Sequence, residues 1–238
     1  MQGTDGNIGG FGTSAWVVIA IAATGQAPST WTAGGVSIVD YLRNNAGLLG
    51  DLSTDWSRSV LAITAAGENP WNFGEVDYVT ELKAYYNAGQ IGSPSLLNDD
   101  FWGVLALISA RESQSSAIIL DSKGFIMNNQ NSDGGWGMGV GGQSDVDDTA
   151  AAIMALVAAG ESPGSAAISG ALAYLKDNQN DDGGFPWNKP GESNTGSESI
   201  AIQALVAAGH NPISGYWVEE GGNPVGHLLD LQRGSGYF

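Results

Sequence analysis

One helix-stop signal recurs along the whole chain and limits it to a repeat architecture. Four apolar, Ala-rich runs close in the same way: Ile19–Gly25, Leu61–Gly67, Met154–Gly160 and Gln203–Gly209. Each has a proline three residues past its glycine, at Pro28, Pro70, Pro163 and Pro212. A glycine just after the last helical residue supplies the left-handed backbone that ends a helix, and a proline shortly beyond prevents its resumption. A degenerate fifth copy, Val104–Ala110, carries Arg111 where the others carry glycine. The five stops fall at positions 25, 67, 111, 160 and 209, a spacing of 42 to 49 residues. A period of this length denotes stacked supersecondary units rather than one irregular core.

Between these runs lies a second class of helix with bulkier residues, expected over 36–45, 76–88, 117–129, 167–178 and 225–231. Four of the five end in glutamine: Gln90, Gln130, Gln179 and Gln232. Five residues before each stands Tyr85, Phe125, Tyr174 or His227. Gly-x-aromatic turns follow at Gly134-Gly135-Trp136, Gly183-Gly184-Phe185 and Gly236-Tyr237-Phe238. Gln2 with Gly9-Gly10-Phe11 has the form of the tail of one more unit. The slim helices are expected near 13–24, 55–66, 98–110, 147–159 and 196–208. Small side chains let their axes approach closely, as an inner ring needs, and the bulkier class suits a covering outer ring. The expected fold is all-α, an α/α toroid of five to six helical hairpins in one domain spanning 1–238; a linear solenoid of the same hairpins is the alternative.

Composition narrows the function. The 238 residues include 25 acidic and 8 basic side chains, for a net charge of −17. That field repels nucleic acid and anionic lipid surfaces. The absence of cysteine excludes disulfides, thiolate metal ligands and a cysteine nucleophile. The apolar stretch 17–23 is too short to span a bilayer. Acidity and abundant Gly, Asn and Ser suit an extracellular or cell-surface protein, with the cytoplasm left open.

The segment Ala171-Leu172-Ala173-Tyr174-Leu175-Lys176-Asp177-Asn178-Gln179, followed by Gly183-Gly184-Phe185, resembles the QW repeat of squalene–hopene and related terpene cyclases. Phe125 through Gln130, Gly134 and Trp136 follow the same pattern. Protein prenyltransferase β-subunits, cobalamin carriers and prokaryotic surface proteins share this repeat. The resemblance implies an α/α toroid and says little of activity, because one toroid hosts unrelated functions. Such toroids have six hairpins and five are counted here, so the chain is expected to be part of a longer protein or a ring incomplete at its closure.

Asp145-Val146-Asp147-Asp148-Thr149-Ala150 is similar to the DxDD motif of class II terpene cyclases. Carried over by position, the resemblance implies Asp147 as general acid flanked by Asp145 and Asp148. Crowded carboxyls cannot all ionise cheaply, so one keeps a proton. Helix starts also favour acids for a simpler reason, since Asp145 can cap while Asp147 and Asp148 meet the positive end of the helix dipole. Both readings stand on the sequence.

Trp16, Trp56, Phe101 and Trp102 fall in the first turns of the slim helices. With Trp136 and the loop residues Trp71, Phe73, Trp187 and Trp217 they form a candidate apolar mouth, or packing between repeats. No metal or cofactor is expected. A prenyltransferase-type zinc site would need cysteine, and His210 and His227 read as structural. The acid-and-amide turns 130–135 and 179–184 lack the spacing of a dedicated calcium loop. The expected function is a non-catalytic, exported module binding an apolar small molecule (a polyisoprenoid or flat macrocycle) or another protein domain. A class II cyclase-type domain and a purely structural surface repeat are the alternatives.

Overall fold

A computed structural model describes residues 1–232, 234 and 236. Tyr237 and Phe238, in the last expected aromatic turn, lie outside the described residues. Ten α-helices are present among those described: α1 (Phe11–Ala23), α2 (Ile38–Asn44), α3 (Ser53–Ala65), α4 (Tyr78–Lys83), α5 (Asn98–Ser109), α6 (Ala117–Asn128), α7 (Val146–Ala158), α8 (Ala166–Asn178), α9 (Thr195–Ala207) and α10 (Pro224–Asp230). Odd-numbered helices are the slim class and even-numbered ones the bulky class. None is long and apolar enough to cross a membrane.

The slim helices end as their sequence demands. Gly25, Gly67, Gly160 and Gly209 all have φ between 76° and 80°. At the last three the next N–H reaches back five residues, Glu68 to Ile63, Glu161 to Leu156 and His210 to Leu205, a Schellman closure. Arg111 adopts φ 67° and makes the same closure through Glu112 N–H to Leu107, so the degenerate copy keeps the geometry without the glycine.

Two bulky helices are shorter than expected. Over 76–88 the helix stops at Lys83, and Tyr86–Asn87 (β3) pairs with Gln90–Ile91 (β4). Ala88 and Gly89, both at positive φ, make the tight turn that forces the reversal. Over 36–45, Thr32–Ala33 (β1) and Val36–Ser37 (β2) form a hairpin around Gly34-Gly35. The helix then begins at Ile38, behind a capping box between Ser37 and Asp40.

The chain divides into two compact units, Met1–Ser93 with Trp102–Asp121, and Pro94–Phe101 with Ser122–Phe238. In the first, α1 packs on α3 and on α2, and α3 on α4. In the second, α7 packs on α9 and α8, and α9 on α10. Within the units, α1, α3, α7 and α9 thus each touch a bulky partner, and the slim helices meet in the pairs α1–α3 and α7–α9. Buried alanines, among them Ala150, Ala151, Ala152 and Ala155 of α7 and Ala201 and Ala204 of α9, are what permit that approach.

A glutamine clamp joins neighbouring repeats. Gln130 Nε2 donates to Gly134 O (2.7 Å) and to Ala167 O (2.9 Å), at the start of the next bulky helix. Gln179 does the same to Gly183 O and Trp217 O, and Gln2 to Gly6 O and Trp31 O. The turn glycines Gly134 and Gly183 sit at φ near 90°. A Cβ on either would lie 2.5 Å from backbone of the following repeat, so glycine is required twice over. Lys and Arg of the bulky helices add ion pairs: Arg43–Glu68 (2.9 Å), Lys123–Glu161 (2.7 Å), Lys83–Glu112 and Lys176–Glu219.

Candidate functional site

The N-terminus of α7 carries the carboxyl cluster. Asp145 is buried and extended. Its N–H donates to Trp136 O (3.0 Å), and its Oδ1 accepts from Asp148 N–H (2.8 Å) as a helix cap. Asn194 occupies the same position before α9 and accepts from Ser197 N–H. The cap is thus a feature of the repeat, not unique to the triplet.

The charges are nevertheless unusual. Burial pushes Asp148 up to about 8, helped by the neighbouring Asp145 and Asp147 carboxyls. Burial also raises Asp145, although the Asp148 N–H opposes it. Asp147 is raised by burial against the Ser197 hydroxyl, and its Oδ1 is buried with no hydrogen-bond partner. The group best able to hold a proton at neutral pH is therefore Asp148, one residue beyond the position the cyclase motif implies.

The candidate mouth residues separate. Trp16 of α1 and Trp102 of α5 meet edge to face, ring centroids 5.5 Å apart, and Trp16 remains 42% exposed. Half-buried Trp56 packs instead on Tyr78 at 5.5 Å. Phe101 is fully buried, as is Trp136, whose Nε1 donates to Ile126 O (2.8 Å). Phe73 and Trp217 are also interior, whereas Trp71 and Trp187 stay exposed. Only Trp16 and Trp102 are both in contact and reachable from solvent.

A second cluster was not legible from single positions. Glu198 of α9 has no exposed surface, and both its oxygens lie 3.1–3.2 Å from His227 Nδ1 of α10. Burial raises its carboxyl and His227 opposes the rise. On the other side of the ring, Nε2 is 3.4 Å from Asp182 Oδ2. His227 and Asp182 line an open cleft of about 690 Å³. A smaller cleft of about 410 Å³ runs past Trp71 and Arg111. Neither is lined by Asp145, Asp147 or Asp148. His210, by contrast, accepts from Trp217 Nε1 (3.2 Å) at the end of α9. The turn acids Asp133 and Asp182 each spend one oxygen on their own loops, accepting from Gly135 N–H and Ser144 Oγ, and from Gly184 N–H and Ser193 Oγ.

Residues 89–202 match the family model described as the squalene-hopene cyclase C-terminal domain. Over that stretch, somewhat less than half of its length, the chain is similar to squalene-cyclase domains, and its helical hairpins are of the α/α-toroid class. Among solved structures it is similar to a glycosidase (17% identity, 92% of this chain and 66% of that one, TM-score 0.52). It is also similar to a glycosidase variant in complex with glucose (18% identity, 84% and 63%, TM-score 0.50). A third likeness is to Candida albicans protein geranylgeranyltransferase-I complexed with GGPP (12% identity, 66% and 52%, TM-score 0.50). At these identities the likeness shows the fold alone. The module spans about half to two thirds of the length of these structures. No curated protein sequence matches it.

Proposed function

We propose that this module is a non-catalytic, exported binding domain that receives an apolar ligand, a polyisoprenoid or flat macrocycle, against Trp16 and Trp102. The observation that carries the reading is the edge-to-face tryptophan pair left open to solvent. Large aromatics contribute most when they become covered, and an uncovered pair offers that area to a ligand. The isoprenoid held by the geranylgeranyltransferase gives a precedent for such a ligand on this fold. The acidity suits a soluble exported protein, and recovery of the native protein only from cytosol would contradict export.

Asp148 favours a second reading, proton donation to an alkene. A carboxyl holding its proton to about 8 is a competent acid at neutral pH. That chemistry needs a dry apolar pocket around the acid, and the cluster lines neither cleft. One experiment separates the two: incubation with squalene and shorter polyprenols, followed by extraction and mass analysis. Unchanged lipid retained by the parent protein and lost from Trp16→Ala supports binding. A cyclised product that disappears in Asp148→Asn or Asp147→Asn establishes the second reading. Neither retention nor product sinks both.

A further inference from the structure

The last repeat departs from its sister repeats at two positions that face each other. Four residues after the caps of α1, α7 and α9 stand Ser14, Thr149 and Glu198, whereas α3 carries Trp56 there. Ser14 Oγ bonds both the N–H and the C=O of Ile8 (2.9 and 3.1 Å). Thr149 Oγ1 bonds both of Trp136 (3.0 and 3.2 Å). In the last repeat the hydroxyl is replaced by a fully buried carboxyl that turns to His227 instead. His227 in turn occupies the position that is aromatic in the earlier repeats, Phe125 and Tyr174. Gly184 makes room, since a Cβ there would lie 2.5 Å from His227 Nδ1.

A neutral imidazole has one N–H to give. With that proton directed at Glu198, the Nε2 lone pair faces Asp182 Oδ2 across 3.4 Å, acceptor against acceptor. Such a gap is stable when a cation fills it. A metal ion bonded at about 2.0–2.1 Å to a histidine nitrogen and about 2.0–2.2 Å to a carboxylate oxygen, at a tetrahedral angle, sets those two atoms roughly 3.4 Å apart. Both ligands are held from behind: His227 by Glu198, and Asp182 through Oδ1 by Gly184 N–H and Ser193 Oγ, each at 2.8 Å. A ligating histidine characteristically gives its other N–H to a carboxylate in this manner.

We propose that His227 Nε2 and Asp182 Oδ2 bind a divalent transition-metal ion of the Zn²⁺ class on the wall of the 690 Å³ cleft, with Glu198 as the positioning residue. Among the described residues no three His, Asp or Glu side chains converge on one point, Glu198 being on the far side of the ring. The remaining coordination positions therefore belong to water or to a molecule entering the cleft. Asp181 and Glu192 line it as well and add negative field, with Lys189 opposing them.

Calorimetric titration of the whole chain with Zn²⁺ in millimolar Mg²⁺, which saturates the diffuse acidic surface, tests the site. One saturable site is expected, lost in His227→Gln and weakened at least tenfold in Asp182→Asn. Glu198→Gln is expected to weaken it about tenfold, the range for a lost outer partner. Circular dichroism confirms that each variant is folded. Should Glu198→Gln unfold the protein, the His227 ring resonances of the parent decide alone, and they must shift on adding Zn²⁺. Binding that survives His227→Gln, or ring resonances that respond to pH but not to Zn²⁺, would overturn the proposal in favour of a surface effect or a simple proton.

Discussion

Burial holds a proton on the Asp148 carboxyl up to about 8, whereas in the unfolded chain it would ionise near 4. Between those values the folded state binds more protons than the unfolded one, so this group's stabilisation is full below about 4 and is lost as pH rises through about 8. Asp148→Asn removes the loss. Its melting temperature should exceed the parent's at pH 8 and match it at pH 4, and equal values at pH 8 would contradict the assignment. Arg111 bears a different cost, a left-handed backbone where the sister repeats use glycine. Arg111→Gly should stabilise by up to about 1 kcal/mol, read from the urea midpoint. At this scale the carboxyl triplet was legible, because three acids before an alanine run are conspicuous. Glu198 and His227 were not, since each is ordinary alone and gains meaning only when Thr149 and Tyr174 are set beside them.

The slim helices followed their sequence to within about two residues, because a Gly-x-x-Pro stop fixes one end and a cap residue the other. The bulky helices were less legible. Ala88-Gly89 and Gly34-Gly35 make tight reversals that apolar periodicity does not register. The hairpin also moves Gln90 off a helix end, and its amide bonds Gly92 O rather than a carbonyl four residues on. Repeats are fastened by side chain to backbone contacts, and these set the next prediction. Gln179→Ala strips a buried donor from two carbonyls, Gly183 and Trp217, and should cost about 2–3 kcal/mol in urea unfolding. Gln232→Ala, at an exposed residue whose amide donates to Gly236 O, should cost less than about 0.5 kcal/mol. Equal losses would mean that the clamp is not what joins the repeats.

Among the described residues, five of the seven basic side chains are engaged in ion pairs, and the excess of acids is left to repel itself. Raising sodium chloride from about 10 mM, where screening reaches roughly 30 Å, to about 1 M, where it reaches roughly 3 Å, should raise the melting temperature. A fall would indicate that the Lys–Glu and Arg–Glu pairs outweigh the repulsion. Aromatic content made a ligand site conceivable from sequence, but burial divided the candidates. Phe101 and Trp136 went to the interior, while Trp16 and Trp102 were left able to receive something. The most direct test of that role is a tryptophan-fluorescence titration with farnesol, parent against Trp16→Ala. Saturable quenching that vanishes in the variant is the predicted result. Quenching that never saturates, or that persists unchanged without Trp16, would contradict the binding account.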